Sequence, residues 1–140
     1  MKVVVIDGQG GRLGQLIIET IIRKNISCDL LAIGTNSIAT GAMLKGGAPQ
    51  GATGENPVLV ACRDADVILG PIGMISADSL LGEITPAMAV AIGQSKAVKL
   101  LLPVSHCTNL VVGVKPLSMK ELAEEAVARL AQLLVNADAH

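Results

Sequence analysis

The chain has 140 residues, 11 basic against 12 acidic side chains, and no aromatic residue. This length fits one domain with a sizeable core, and the absence of any basic cluster argues against a nucleic-acid partner. No apolar run approaches the roughly 20 residues of a membrane-spanning helix, so no membrane partner is expected. The high hydrophobic content (51%) and low charged content (16%) favour a sheet buried on both faces, or extra burial in a homo-oligomer such as a dimer.

The cysteines and the N-terminal residues bear on the compartment. Cys28, Cys62 and Cys107 are odd in number and widely spaced, so reduced thiols and a cytoplasmic location are expected. The apolar run Val3–Ile6 ends at Asp7, well short of the roughly 7–15 residues of a signal-peptide core.

Short apolar runs alternate with segments whose apolar residues recur at helical spacing. The expected strands are Val3–Ile6, Leu30–Ile33, Ala48–Ala52, Val67–Leu69, Leu100–Val104 and Leu110–Val114. The expected helices are Arg12–Lys24, a helix capped by Asn36 or Ser37 and ending at Lys45, a helix starting at Asn56-Pro57, Ala87–Gln94 after the cap Thr85-Pro86, and a last helix opening on the capping box Ser118–Glu121.

This alternation predicts an α/β fold, a single three-layer Rossmann-like domain with a mostly parallel, doubly wound sheet of about six strands. Right-handed crossovers favour the strand order 3-2-1-4-5-6.

The connections that lead from a strand into a helix hold the unusual residues. They are Asp7–Gly11, Gly34–Ser37, Thr53–Asn56, Gly70–Gly73 and Pro103–His106. In an open α/β sheet these connections share the edge where ligands bind. The residues expected to contact a ligand are Asp7, Gly8, Gln9, Gly10, Gly11, Arg12, Leu13, Gly34, Thr35, Asn36, Ser37, Gly54, Glu55, Asn56, Gly70, Pro71, Ile72 and Gly73.

The first of these connections contains the glycine turn, Gly8–Gly14, which reads GQGGRLG. It follows a strand and opens a helix, where glycines let backbone N–H groups approach an anion and the helix macrodipole favours negative charge. Leu13 stands where the dinucleotide fingerprint has its third glycine. The turn resembles the Gly-x-x-Gly-Arg-Met-Gly turn of dihydrodipicolinate reductases, which implies NAD or NADP as a cofactor. Since no Lys-Ser or Lys-Thr pair follows, a P-loop is not expected.

Two features depart from a standard dinucleotide site. Asp7 precedes the turn, where a carboxylate repels a pyrophosphate; it either caps the first helix, the simpler interpretation, or holds Mg²⁺ against a phosphate. The second strand ends in the neutral run Gly34–Ser37, whereas an NAD site offers an Asp or Glu to the ribose there. Recognition of adenosine is therefore left open by the sequence.

No catalytic or metal-ligating constellation is evident. His106 and Cys107 are adjacent in the sequence and, at an expected strand end, would point to opposite faces, so a structural cysteine beside a loop histidine is the simpler interpretation. Glu55 and Glu83 each precede a helix, where the helix dipole alone favours an acid. The apolar segment Pro71–Gly82 is expected to form a lid over a ligand or a dimer contact.

Read along its length, the chain resembles a family of small bacterial proteins known as domain of unknown function 3842. The stretches that carry the resemblance are Val5–Gly11, Gly34–Asn36, Gly51–Asn56, Gly70–Gly73 and Leu81–Pro86. The resemblance implies a Rossmann-like fold and adds no activity.

The sequence thus favours a protein that binds a nucleotide or phosphorylated metabolite, with NAD or NADP as the first candidate. The N–H groups of Gly10, Gly11 and Arg12 would hold the phosphate, Thr35–Ser37 the sugar or adenine, and Gly70–Gly73 the far end. Two alternatives are an NAD(P)-dependent oxidoreductase completed by dimerisation, and a non-catalytic interaction protein with a vestigial site.

Overall fold

The computed structural model describes residues 1–104 and 109–138. Its strands are β1 (Lys2–Asp7), β2 (Asp29–Gly34), β3 (Gly51–Thr53), β4 (Val67–Pro71) and β5 (Val98–Leu102). Its helices are α1 (Arg12–Arg23), α2 (Ser37–Lys45), α3 (Glu55–Ala61), α4 (Pro86–Gln94) and α5 (Met119–Asp138), and a 3₁₀ turn over Ile72–Ile75 follows β4. The five strands form one parallel sheet in the order β3-β2-β1-β4-β5.

Strand β1 lies at the centre of the sheet because its side chains are aliphatic on both faces. Val3 and Val5 pack against α1 and α5, and Val4 and Ile6 pack against α3 and α4. All four side chains are fully buried. Alternation along one strand therefore divides the core into two halves, one on each face of the sheet.

Local capping signals begin three of the helices, as the sequence predicts. Asn36 Oδ1 accepts a hydrogen bond from Ala39 N (2.9 Å), and Thr85 Oγ1 accepts one from Met88 N (3.2 Å). In the capping box of α5, Ser118 Oγ accepts from the backbone N of Glu121, while Glu121 Oε1 accepts from that of Ser118, each at 3.1 Å.

The predicted sixth strand, Leu110–Val114, is wrong. Residues 109–117 follow an irregular path, and Leu110 and Val112 are more than nine-tenths exposed. Aliphatic residues favour a strand only where a partner strand and a buried face exist, and this segment has neither in the described part of the chain.

Several boundaries also differ from the prediction. Strand β5 starts at Val98, opposite Val67 of β4, and ends before Pro103, which has no N–H to extend the ladder. Strand β3 begins at Gly51 rather than Ala48. Helix α3 begins at Glu55 after Gly54, whose φ of +105° suits glycine, so Asn56 lies inside the first turn and does not cap it.

The strand order places the glycine turn at a topological switch point. From β1 the chain moves to β2 and β3 on one side, and β4 and β5 lie on the other. The carboxyl ends of β1 and β4 therefore border the crevice where open α/β sheets bind ligands. Among the described residues, no helix has both the length and the hydropathy of a membrane span.

Candidate ligand-binding site

The glycine turn connects the end of β1 to α1 by a tight backbone reversal. Gly11 N donates to Gly8 O (2.9 Å), and Gln9 has a φ of +50°. Gly11 has a φ of +72°, and a Cβ there would lie 2.7 Å from Ala39 Cα. Gly11 is thus required by the turn and by its contact with α2. Its N–H is engaged within the turn, so it does not offer the phosphate contact that the sequence suggested.

Asp7 lies beneath this turn and caps α1, as expected. Its side chain is buried, Oδ1 accepts from Gly8 N (2.8 Å), and Oδ2 accepts from Gly14 N (2.7 Å) in the first turn of the helix. Burial raises the pKa of Asp7; these two hydrogen bonds oppose that shift, and the charge of Glu83 adds to it. The residues that the structure describes include no group of three acidic, histidine or cysteine side chains able to hold a metal ion.

Three backbone donors near the turn have no hydrogen-bond partner among the residues that the structure describes. Within the described residues, the N–H groups of Gly10, Arg12 and Leu13 donate no hydrogen bond. They precede or open α1, where the helix macrodipole is positive. The Arg12 side chain is exposed, and a Cβ at Gly10 would meet nothing within 4 Å. This end of the turn is therefore open and rich in donors.

The opposite end of the turn is bordered by Glu83. Its Oε1 accepts hydrogen bonds from Thr35 Oγ1 (2.5 Å), Asn36 Nδ2 (2.8 Å) and Gln9 N (2.8 Å). Burial raises the pKa of Glu83, but these three hydrogen bonds outweigh it and hold the pKa below its ordinary value. The second oxygen, Oε2, accepts no hydrogen bond from the described part of the chain.

Glu83 reaches this position from the cover segment, residues 76–85, which follows the 3₁₀ turn. Asp78 N donates to Ile84 O (2.7 Å) and Ile84 N donates to Ser79 O (3.2 Å), so the segment folds on itself. A Cβ at Gly8 would lie 2.9 Å from Leu80 Cδ1 and 3.0 Å from Glu83 Oε1. The cover segment thus lies directly over Gly8, where an added side chain would displace Leu80 and Glu83 as well as Thr35.

A cleft adjoins the turn on the side of β4, and a larger cavity adjoins that cleft. The cleft, of about 150 Å³, is lined by residues 7–13 together with Pro71, Leu80, Val104 and Met119. The larger cavity, of about 490 Å³, lies against residues 109–117 and shares Val104 and Met119 with the cleft. A ligand held at the turn therefore has room towards β5, while on the side towards β2 the turn is bordered by Glu83.

The remaining predicted site residues have other positions. Gly34 and Gly70 are packing residues, since a Cβ would lie 2.3 Å from Thr40 Oγ1 and 2.4 Å from Ile6 O respectively. Glu55 Oε2 accepts from Thr85 Oγ1 and joins the starts of α3 and α4. The other members of the set that do not line the cleft are Ser37, which is exposed, Gly54 and Asn56 at the start of α3, and Ile72 and Gly73 in the 3₁₀ turn. Ser105, His106 and Cys107 lie outside the described residues.

Glu83 is the polar residue that the sequence did not assign to this site; Leu80, Val104 and Met119 of the cleft lining were not assigned to it either. Glu83 follows Gly82, whose φ is +90°, and it lies within the stretch Leu81–Pro86 that carried the family resemblance. That stretch was the only signal in the sequence that could have assigned Glu83 to the site. The sequence analysis instead explained Glu83 by the helix that starts at Thr85-Pro86, whose dipole favours an acid.

Fold and turn together define an α/β protein with a donor-rich glycine turn at the carboxyl edge of a parallel sheet. The family described as a domain of unknown function, DUF3842, matches residues 2–135, and the chain belongs to that family. Comparisons with curated proteins and with solved structures gave no match.

The two carboxylates give a pH-dependent prediction. In a ¹³C NMR titration of side-chain carboxyls, we expect Glu83 to titrate below its ordinary pKa of 4.5 and Asp7 above its ordinary 3.8. The ionised Glu83 therefore stabilises the fold above pH 4.5, and this contribution is lost as the pH falls through its folded pKa. For Asp7 the sign is opposite: stability is lost as the pH rises through its folded pKa.

A variant tests whether the two groups face each other. Burial is the main cause of the raised pKa of Asp7, and the charge of Glu83 adds to it; Glu83→Gln removes that charge, so the pKa of Asp7 should fall. Glu19→Gln, at an exposed position on α1, is the matched control and should leave the pKa of Asp7 unchanged. An Asp7 pKa that does not move in Glu83→Gln would contradict the arrangement.

Proposed function

We propose that the chain binds a nucleotide or another phosphorylated metabolite at the carboxyl edge of its sheet. The observation that supports this most strongly is the set of N–H groups of Gly10, Arg12 and Leu13, which have no hydrogen-bond partner in the described residues and adjoin the cleft. They lie at the start of a helix of 12 residues, where a phosphate is favoured. The Arg12 guanidinium adds a positive charge at the same place.

The charges near the turn favour a ligand with few phosphates. Asp7 and Glu83 are each compensated by hydrogen-bond donors, but both still disfavour a highly charged anion. Arg12 is the single basic residue of the turn. One phosphate, or the shared charge of a pyrophosphate, suits this balance better than a triphosphate does.

NAD and NADP are the first ligands to test. The part of a dinucleotide beyond the phosphates would extend into the cleft lined by Pro71, Val104 and Met119, and from there towards the larger cavity. The contacts to the phosphates and to the far end of the dinucleotide would then be divided among the end of β1, β4 and the start of α5.

A second candidate is a non-catalytic protein whose own side chain fills the site. The contact of Glu83 with Gln9, Thr35 and Asn36 favours it, because a carboxylate already occupies donors that an anionic ligand would use. Such a protein would act through its surface and would bind no small molecule.

A thermal-shift panel of NAD, NADP, FAD, AMP and S-adenosylmethionine separates these candidates. A ligand at 100 times its dissociation constant adds about 2.7 kcal/mol, which for a chain of this size raises the melting temperature on the order of 5–10 °C. Gly10→Asp should abolish the shift, because it places a carboxylate beside the N–H groups at a position where a Cβ meets nothing within 4 Å.

Gly93→Asp is the matched control. Gly93 is also exposed with open space around it, but it lies near the end of α4, away from the glycine turn. It should bind as the unmodified chain does. A shift that survives Gly10→Asp would place the phosphate elsewhere, and equal melting temperatures with every ligand would favour the second candidate.

We also propose that the chain forms a homo-oligomer. Leu81, Leu110 and Val112 are each more than nine-tenths exposed, and β5 is an edge strand. Exposed aliphatic side chains of this kind are typical of contact surfaces. Light scattering coupled to size exclusion should give at least twice the chain mass of 14.3 kDa, and a monomer mass would contradict self-association.

A further inference from the structure

We infer that Glu83 binds the ribose hydroxyls of the ligand, which makes the ligand class a ribonucleotide with an unmodified 2′-hydroxyl. The inference rests on the proposed function, since it assigns the sugar-binding group of the same site. It is carried by the position of the Glu83 carboxylate between the end of β2 and the glycine turn.

A nucleotide site in a doubly wound sheet places a carboxylate beside the end of the second strand, where it binds the ribose. In this chain the end of β2 is neutral, with Thr35 and Asn36 following Gly34. Both side chains donate a hydrogen bond to Glu83 Oε1. The end of β2 therefore has a carboxylate beside it, but this carboxylate belongs to Glu83, which follows β4 in the chain.

The arrangement fixes one oxygen of Glu83 and leaves the other available. Oε1 accepts all three hydrogen bonds, so the orientation of the carboxylate is set before any ligand arrives. Oε2 accepts none from the described residues, and the side chain is only half-buried. A carboxylate oxygen with unused lone pairs is a strong acceptor for a hydroxyl group.

The neighbouring residues suit the rest of a nucleotide. Gln9 N holds Glu83, and the next N–H along the chain, that of Gly10, is one of the proposed phosphate donors. The sugar and its 5′-phosphate would therefore be held by consecutive parts of one turn. The first exposed apolar side chain beyond Asn36 is Ile38, at 72% exposure, which offers a surface for a base in a chain without aromatic residues.

The same geometry predicts discrimination at the ribose 2′ position. A 2′-phosphate would meet the negative charge of Glu83, and the run Gly34–Ser37 contains no Arg or Lys to neutralise it. A 2′-deoxyribose would lose the hydrogen bond to Oε2. Both changes should weaken binding by about tenfold or more.

Isothermal titration calorimetry with AMP, 2′-deoxy-AMP and adenosine 2′,5′-bisphosphate tests the inference, because these ligands differ only at that position. The unmodified chain should bind AMP about tenfold or more tightly than either of the others. In Glu83→Gln, affinity for AMP should fall by a similar factor. Affinity for the bisphosphate should rise, since the new amide Nε2 can donate to a phosphate oxygen.

Glu83→Gln keeps an Oε1 that can accept from Gln9, Thr35 and Asn36, so its fold should be maintained, which circular dichroism checks. Glu19→Gln carries the same charge change away from the site and should bind as the unmodified chain does. If Glu83→Gln does not fold, the affinities of the unmodified chain for the three ligands still test whether the site recognises the ribose 2′-hydroxyl.

Equal affinities for the three ligands, or unchanged affinities in Glu83→Gln, would overturn the role of Glu83. The phosphate site would survive that result if Gly10→Asp still abolished binding. If none of the three ligands bound, the inference would fail, and the thermal-shift panel would decide separately on the phosphate site.

Discussion

The buried carboxylate of Asp7 is the contact on which the site depends. It joins the last residue of β1 to the first turn of α1, with Gly8 N on one oxygen and Gly14 N on the other. Hydrogen bonds to a charged group are worth about 1.5–3 kcal/mol each, and a buried N–H left without a partner costs a similar amount. Asp7 thereby holds both ends of the glycine turn. The N–H groups of Gly10, Arg12 and Leu13 therefore keep a fixed position, although they form no hydrogen bond within the described residues.

The cover segment divides the carboxyl edge of the sheet into two unequal halves. Leu80 is buried over Gly8, and Glu83 binds the donors that follow β2. On the other half, the cleft beside Pro71 stays open towards β5. If the proposed ligand binds, a segment that follows β4 in the chain would therefore determine how it lies across β1, and would do so through a single carboxylate. This division distinguishes the site from a dinucleotide site in which the second strand supplies its own acid.

Much of the fold was predictable because its signals are local. The caps Asn36, Thr85 and Ser118 act within a few residues, and the aliphatic run of β1 alone indicates a central strand. The role of Glu83 was not predictable, since it joins residues 47 to 74 positions apart. It also needs positive φ at Leu80 and Leu81, which leucine rarely adopts. The strand predicted over Leu110–Val114 was wrong because strand propensity is a local property, whereas a strand also requires a partner strand from elsewhere in the chain.

The most direct test of the phosphate site is a ¹H–¹⁵N NMR titration of the full chain with AMP. A phosphate bound at the turn should give the largest amide shifts at Gly10, Arg12 and Leu13, and smaller shifts at Gly8 and Gly14, whose N–H groups are bonded to Asp7. Largest shifts at residues 109–117, beside the larger cavity, or no shifts at the glycine turn at saturating AMP, would contradict the phosphate site.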